Sequence, residues 1–271
     1  MRLTVLTDNH TYIDQYYLGE PALSFYIEDE AERILFDTGY SDTALKNAAQ
    51  MGIDLSRLTA IIFSHGHNDH TRGLTFLWEK YDLSQVKLIA HPLVFAKRRY
   101  LGESVGAPFT KADCLAHGLQ IVDGTKPLAL TSRLTWLGEI PRITSFEAKT
   151  PIGEWSDETN WRKDYVMDDS ALVYNGAEGL FVITGCSHSG ICNILSYARS
   201  VTGPEQPIQG VIGGFHLMEE NRQLDETVQF LKTNTTGTLY PCHCVCLKAK
   251  HRMMMELPVE EVGVGMKLEL E

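Results

Sequence analysis

Three histidines and an aspartate stand within six positions of this sequence. They are His65, His67, Asp69 and His70, and they directly follow an apolar run at residues 59–63. Imidazole nitrogens and carboxylate oxygens are the groups with which proteins bind zinc and its first-row neighbours. A polar surface loop explains one or two such side chains easily, but not four so closely spaced. The spacing therefore predicts a metal site.

The order of these four residues predicts two adjacent ion positions. A chain that leaves a strand in extended form places residues i and i+2 on the same side, so His65 and His67 can bind one ion together. Asp69 and His70 follow one turn later, at the start of the next predicted helix. From there they can face a second ion.

Three later histidines each follow an apolar, strand-like run: His188, His216 and His243. Strand ends at one edge of an α/β sheet are where binding sites assemble. A lone histidine at a strand end more often has a structural role. In a chain that already carries a metal motif, we expect all three to contribute ligands.

The six cysteines divide into two groups. Cys186 lies two residues before His188 in the same turn and can give a thiolate to the metal. Cys242, Cys244 and Cys246 would alternate with His243 along an extended strand, so they would not share an ion with it unless the strand has already ended. The sequence has no Cys-x-x-Cys pair, and buried thiols are expected at Cys114, Cys192, Cys242 and Cys246.

Composition narrows the class of protein. With 271 residues, 44% of them hydrophobic, the chain can bury a large core as one domain, residues 1–271. A formal charge of −11 disfavours nucleic acid as a partner, because phosphate backbones need a basic surface. Neither a signal peptide nor a membrane span is recognisable. We expect a cytoplasmic protein with a small-molecule substrate and no membrane partner, and a homo-oligomer is left open.

Strand-like and helical runs alternate, which predicts a layered α/β domain. The predicted strands are 3–6, 23–27, 34–36, 60–63, 87–90, 171–174, 180–184, 211–212 and 238–240, and the predicted helices are 41–51, 71–81, 191–201 and 223–233. Two segments, 92–151 and 154–169, are expected to be loop insertions. The second carries Trp155, Trp161 and Tyr165, which are candidates for a lid or for core anchors.

With these residues in view, the sequence resembles the metallo-β-lactamase superfamily. Its hallmark His-x-His-x-Asp-His is matched in full at residues 65–70, its Asp-Thr-Gly turn at residues 37–39, and its late Pro-x-His at residues 241–243. Residues 183–193, among others, are similar to the branch related to 7,8-dihydropterin-6-yl-methyl-4-(β-D-ribofuranosyl)aminobenzene 5'-phosphate synthase. The resemblance implies a four-layer αβ/βα sandwich that binds one or two divalent ions at the strand edge, zinc first, with iron or manganese as alternatives.

The resemblance also implies roles for individual positions. His65 and His67 would hold one ion, and Asp69, His70 and His243 the second, with Asp37 supporting the ligands from behind. The turn that carries a metal-bridging aspartate in most members reads Thr184-Gly185-Cys186 here, so either Cys186 substitutes or the bridge is absent. The third histidine ligand that is usual in the superfamily has no clear match. The candidates to replace it are Asp168 and Asp169, which lie near that position, and His188.

The implied activity is that of a metal-dependent hydrolase or synthase-type transferase. It would act on a small phosphorylated or pterin-like substrate through a metal-bound water or a metal-held leaving group. Asp69 would orient the water and serve as base, and His243 or His216 would protonate a leaving oxygen. Segments expected to receive the substrate carry Trp155, Trp161, Arg98 and Arg99.

Two other classes of function stay open. One is an iron-dependent oxidoreductase on the same scaffold, although the flavodiiron pattern has Glu where this chain has His67. The other is a non-catalytic module that binds a metal or a ligand. Turnover of a substrate would distinguish an enzyme from such a module.

Overall fold

The structure is a computed structural model that describes residues 1–157 and 159–271; residue 158, inside the second predicted insertion, lies outside the described residues. Its strands are β1 (Arg2–Thr7), β2 (Ser24–Asp29), β3 (Glu32–Phe36), β4 (Ala60–Ile62), β5 (Lys87–Ala90), β6 (Lys97–Tyr100), β7 (Glu103–Ser104), β8 (Gln120–Asp123), β9 (Leu128–Ala129), β10 (Leu134–Trp136), β11 (Glu154–Ser156), β12 (Trp161–Lys163), β13 (Ala171–Gly176), β14 (Gly179–Thr184), β15 (Ile208–Gly213), β16 (Thr235–Pro241) and β17 (Lys267–Glu269). The α-helices are α1 (Thr43–Gln50), α2 (Asn68–Thr71), α3 (Leu74–Lys80), α4 (Lys111–Ala116), α5 (Ile191–Thr202), α6 (Arg222–Asn234) and α7 (Leu247–Met254). Every predicted strand and helix overlaps an observed one, except that the helix predicted at 71–81 divides into α2 and α3.

Two large sheets form the centre of the fold. One has the strand order β17-β1-β2-β3-β4-β5-β8, and the other β16-β15-β14-β13-β10-β9. A buried apolar cluster contains residues from both, such as Phe36 and Ile62 of the first sheet and Leu172 and Ile183 of the second. Burial of these side chains on facing sheet surfaces removes apolar area from water and holds the sheets together.

Helices cover the outer face of each sheet. In the first sheet Leu35 and Ile61 pack with Leu45 of α1 and Leu77 of α3. The second sheet has its own cluster with α5, α6 and α7, built from Val182, Val211, Ile194, Val228 and Met253. The resulting order of layers confirms the predicted four-layer αβ/βα sandwich.

The segments predicted to be loop insertions contain regular structure. Within 92–151, β8 extends the first sheet and β10 and β9 extend the second. Strands β6 and β7 join β11 and β12, from 154–169, in a separate four-stranded sheet. Each of these strands has only two to four residues, so the period-two pattern is too short to be recognised in the sequence.

The strand ends carry the turns from which the site is built. In the first sheet β3 runs parallel to β4, and in the second β14, β15 and β16 run parallel to one another. Non-glycine residues in the left-handed region follow four of these strands: Asp37 (φ 57°), Ser187 (φ 60°), His216 (φ 50°) and His243 (φ 51°). Such backbone is uncommon outside glycine and concentrates at functional sites. In the described part of the chain, no helix has the length and apolar character that a membrane span needs.

Candidate metal centre

His65, His67 and His188 bring three imidazoles together. One ring nitrogen from each lies within 4.8 Å of the others, and Nε2 of His65 is 3.0 Å from Nδ1 of His67. Both ring nitrogens of His188 and Nε2 of His67 are buried without a hydrogen-bond partner in the described structure. Buried polar atoms are nearly always paired. A cation is the group that satisfies three converging imidazoles, so the residues present fit a metal ion.

Burial sets the protonation of this first group. It lowers the pKa of His65 and of His188 well below the ordinary value, with further lowering from neighbouring histidines. Burial, followed by the charge of Arg98, lowers the pKa of His67 to about 3. The three imidazoles are therefore neutral at pH 7, which is the form that binds metal.

Asp69, His70 and His243 form a second group, again with ligand atoms within 4.8 Å of one another. Oδ2 of Asp69 lies 3.4 Å from Nε2 of His243 and 3.6 Å from Nε2 of His70. Burial would raise the pKa of Asp69, but His70 and His243 outweigh it and lower that pKa below its usual range. Burial acts to lower the pKa of His70, but the carboxylates of Asp69 and Asp37 raise it overall.

Hydrogen bonds fix the orientation of these rings from behind. Nδ1 of His70 is 2.7 Å from Oδ2 of Asp37, and Nδ1 of His243 is 3.0 Å from Oδ1 of Asn9. In both rings Nε2 then points toward the other ligand atoms of the second group. Holding the outer nitrogen in this way is how metal-ligating histidines keep their tautomer. Asp37 therefore lies where the resemblance implies a supporting residue, whereas the sequence contains no signal that singles out Asn9.

Cys186 lies between the two groups. Its Sγ is 3.2 Å from Nε2 of His70, and it also groups with His65 and His70 within 4.8 Å. Asp168 and Asp169, the other candidates for the missing ligand, belong to none of the groups of converging ligand atoms in the described residues. Asp168 accepts from the backbone N–H of Gly66 at 2.8 Å, and Asp169 accepts from the backbone N–H of Ser189 at 2.9 Å. Of the residues proposed for the third histidine, His188 is the one whose nitrogens face the centre.

His216 has a different position from the other predicted ligands. Its ring centroid is 4.5 Å from that of His188, and it lines the pocket described below. It belongs to none of the four groups of converging ligand atoms found in the described residues. Burial, together with His243, lowers the pKa of His216, so this imidazole is neutral at pH 7.

Cys244 is a candidate metal ligand that the sequence pattern does not predict. Its Sγ lies within 4.8 Å of ligand atoms of Cys186 and His243. Strand β16 ends at Pro241, so the alternation expected of an extended strand does not apply to residues 243–244. Cys114, Cys192 and Cys242 are buried, as predicted, while Cys246 is half-buried at the start of α7.

An open pocket of about 490 Å³ gives access to both groups. Tyr40, Tyr100, Ile152 and Met218 provide much of its apolar wall. The residues expected from the sequence to receive the substrate lie elsewhere. Arg98 is 3% exposed and pairs with Asp164 and Asp168. Arg99 pairs with Glu154 at 2.7 Å and lies 4.1 Å from the ring centroid of Trp161, and none of Arg98, Arg99, Trp155 and Trp161 is among the pocket residues.

This fold and this set of ligand side chains define a class. A family model described as "Metallo-beta-lactamase superfamily" matches residues 18–201, and the chain belongs to that superfamily. It is 31% identical to the uncharacterized protein MJ0448 of Methanocaldococcus jannaschii over 91% of each chain. It is 29% identical to the 7,8-dihydropterin-6-methyl-4-(beta-D-ribofuranosyl)-aminobenzene-5'-phosphate synthase of the same organism, over 94% of this chain and 91% of the relative.

A solved structure agrees with these sequence relatives. Tm1679, described as a metal-dependent hydrolase of the beta-lactamase superfamily, superposes with a TM-score of 0.84 at 29% identity and covers 99% of this chain and 98% of its own. The predicted family and fold are therefore confirmed.

Proposed function

We propose that the protein is a metal-dependent enzyme that binds one or two divalent ions and acts on a small phosphorylated or pterin-like molecule. The observation that carries the proposal is the convergence of two ligand groups, His65/His67/His188 and Asp69/His70/His243, on one open pocket. The neutral imidazoles of His65, His67 and His188 and the ionised carboxylate of Asp69 are suited to zinc, with iron or manganese as alternatives. The predicted ligand Cys186 lies between the two groups, whereas His216 stands beside His188 outside them.

A divalent cation supplies Lewis acidity, which makes water acidic near neutral pH and offsets negative charge on a substrate oxygen. The side chains would then divide the proton transfers. Asp69 is held ionised by His70 and His243. A carboxylate with so low a pKa is a weak base, so Asp69 orients the attacking group as an acceptor more than it removes a proton. His216 is neutral and lies outside the ligand groups, so it is the better proton acceptor. His243 has Nδ1 held by Asn9 and Nε2 turned to the second group, so it would serve as a ligand and not as the proton donor expected from the sequence.

The pocket supports a substrate that is partly apolar. Its lining among the described residues contains neither Lys nor Arg, so a phosphate would be recognised by the bound cation and by N–H or amide groups such as Asn9 and Asn68. Tyr40 and Tyr100 add aromatic surface to the pocket, which suits a planar group. The similarity to a dihydropterin synthase supports a pterin-like substrate, and the similarity to a metal-dependent hydrolase supports hydrolysis.

The test uses metal-free protein reloaded with zinc, manganese or iron and a panel of phosphoesters, lactones and pterin diphosphates. We expect turnover that needs the metal and is lost in His67→Ala and in His188→Ala. His117→Ala is the matched control, because His117 stacks on Trp78 away from the pocket. Tight binding of one compound without turnover under any metal would indicate a binding module instead. Oxygen consumption by an iron-loaded protein would indicate an oxidoreductase.

A further inference from the structure

Two thiols meet beside the second ligand group. Sγ of Cys186, Sγ of Cys244 and a ring nitrogen of His243 all lie within 4.8 Å of one another. Sγ of Cys244 also donates to the carbonyl oxygen of Cys186 at 3.5 Å. Both cysteines line the pocket, so an ion or a reagent in the pocket can reach them.

The fold builds this meeting from turns that are distant in sequence. Cys186 follows β14, Cys244 follows β16, and Gly214 follows β15, the strand between them. A Cβ atom on Gly214 would overlap Sγ of Cys244 and lie 3.3 Å from Cα of Cys186. The N–H of Gly214 donates to the carbonyl of Gly185 at 2.8 Å. The glycine directly after the middle strand therefore lets the turns that carry Cys186 and Cys244 approach each other.

We propose that Cys186, Cys244 and His243 form a sulfur-rich ligand set that makes one ion position selective for thiophilic divalent cations. Such cations include Zn²⁺, Co²⁺ and Cd²⁺, whereas Mg²⁺ and Mn²⁺ prefer oxygen ligands. The proposal deepens the proposed function, because it specifies which metal one of the two positions takes. It adds Cys244 as a ligand. On binding, each thiol loses its proton to solvent and a metal–sulfur bond forms.

The spacing of the three ligand atoms is compatible with one ion. Zinc–sulfur bonds of about 2.3 Å at a tetrahedral centre place ligand atoms about 3.8 Å apart. The observed upper limit of 4.8 Å is within about 1 Å of that value, a difference that side-chain rotation can close. His70, whose Nε2 is 3.2 Å from Sγ of Cys186, lies close enough to be the fourth ligand.

The experiment measures sulfur-to-metal charge transfer in the intact chain. Reduced, metal-free protein is titrated with Cd²⁺, and the near-ultraviolet thiolate–cadmium band is recorded for the wild type, Cys186→Ser, Cys244→Ser and the double variant. We expect a saturable band in the wild type, about half of it in each single variant and none in the double variant. Cys114→Ser is the control, because Cys114 lies in α4 away from the pocket, and its band should equal that of the wild type. A full band in Cys244→Ser would overturn the proposal.

A second readout does not depend on how the variants fold. Wild-type protein is alkylated with and without Cd²⁺, and mass spectrometry then maps the modified cysteines. We expect Cd²⁺ to protect Cys186 and Cys244 together, and excess Mn²⁺ to protect neither. Equal alkylation in all samples, or a Cys186–Cys244 disulfide in the Cd²⁺-loaded protein, would contradict the proposal. Metal-dependent turnover without the band would refute this inference alone, whereas a band without turnover would refute the proposed function alone.

Discussion

The Asp37 carboxylate holds the His70 imidazole at 2.7 Å, between Oδ2 and Nδ1, with both side chains fully buried. The same carboxylate accepts from the backbone N–H of Ser64 at 2.8 Å and from its hydroxyl at 2.7 Å. Asp37 follows β3 and Ser64 follows β4, so one side chain both orients a ligand and fixes the loop that carries the others. The Asp-Thr-Gly turn thus supports the candidate metal centre without supplying one of its ligands.

Asp37→Asn should lower metal affinity about 10- to 100-fold. The amide nitrogen would donate to Nδ1 of His70 and move the ring proton to Nε2, which is the nitrogen that faces the centre. Chelator competition on the purified variant measures the affinity. Asp42→Asn, on an exposed pair with Lys46, is the control and should change nothing. Unchanged affinity in the Asp37 variant would show that this carboxylate does not set the tautomer.

The two ligand groups should lose metal at different pH values. His70 has a raised pKa, so as pH falls its ring is protonated first and its lone pair is lost. His65, His67 and His188 have lowered pKa values and stay neutral into more acidic solution. Equilibrium dialysis over a pH series should therefore show the ion held by the His70 group leaving first as pH decreases from 8. Simultaneous release of both ions, or earlier release from the three-histidine group, would refute this order.

Arg98→Met should destabilise the protein by about 3–5 kcal/mol. The guanidinium is buried and pairs with Asp164 at 2.8 Å and with Asp168 at 2.5 Å, so its removal leaves two buried carboxylates unpaired. Arg99→Met is a matched control, since its pair with Glu154 is 42% and 44% exposed and should contribute about 0–1 kcal/mol. Urea unfolding of both variants measures the difference. Equal losses would mean that the buried pairs contribute no more than the exposed one.

Gly66→Ala should abolish metal binding by the first group while the fold persists. A Cβ at Gly66 would overlap the Arg98 guanidinium and the carbonyl oxygen of Val94, so the loop between His65 and His67 must shift. Gly124→Ala is the control because a Cβ there meets nothing within 4 Å. Metal content and circular dichroism are measured on both. A Gly66 variant with full metal content would show that the loop tolerates the shift.

The sequence predicts best those ligands that lie close together along the chain. His65 to His70 lie on one short stretch, so strand geometry alone indicates which side chains can share an ion. His188 and His243 could be proposed only as strand-end residues, because their distance from His65 depends on how β14, β15 and β16 pair. That pairing joins residues far apart in the chain and leaves no local pattern.

The sequence pattern does not predict Cys244 as a ligand or β8 and β10 as strands, and each case has a physical reason. The sequence does not predict Cys244 as a ligand, because an extended strand would turn it away from His243. The end of β16 at Pro241, which removes this restriction, is set by sheet pairing. The sequence predicts loop where β8 and β10 form, because each strand is short and lies among glycines and prolines. The longer runs, such as Ile34–Phe36 within β3 and Leu180–Thr184 within β14, were long enough to predict.

The candidate ligands span most of the chain's length, from His65 to Cys244 of 271 residues, so they are synthesised at very different times. A ribosome exposes the first four donors long before the last ones exist. The complete centre forms only after β16 has docked beside β15, when nearly the whole polypeptide has been synthesised. An ion that uses donors from the whole set can therefore be bound only late in biogenesis.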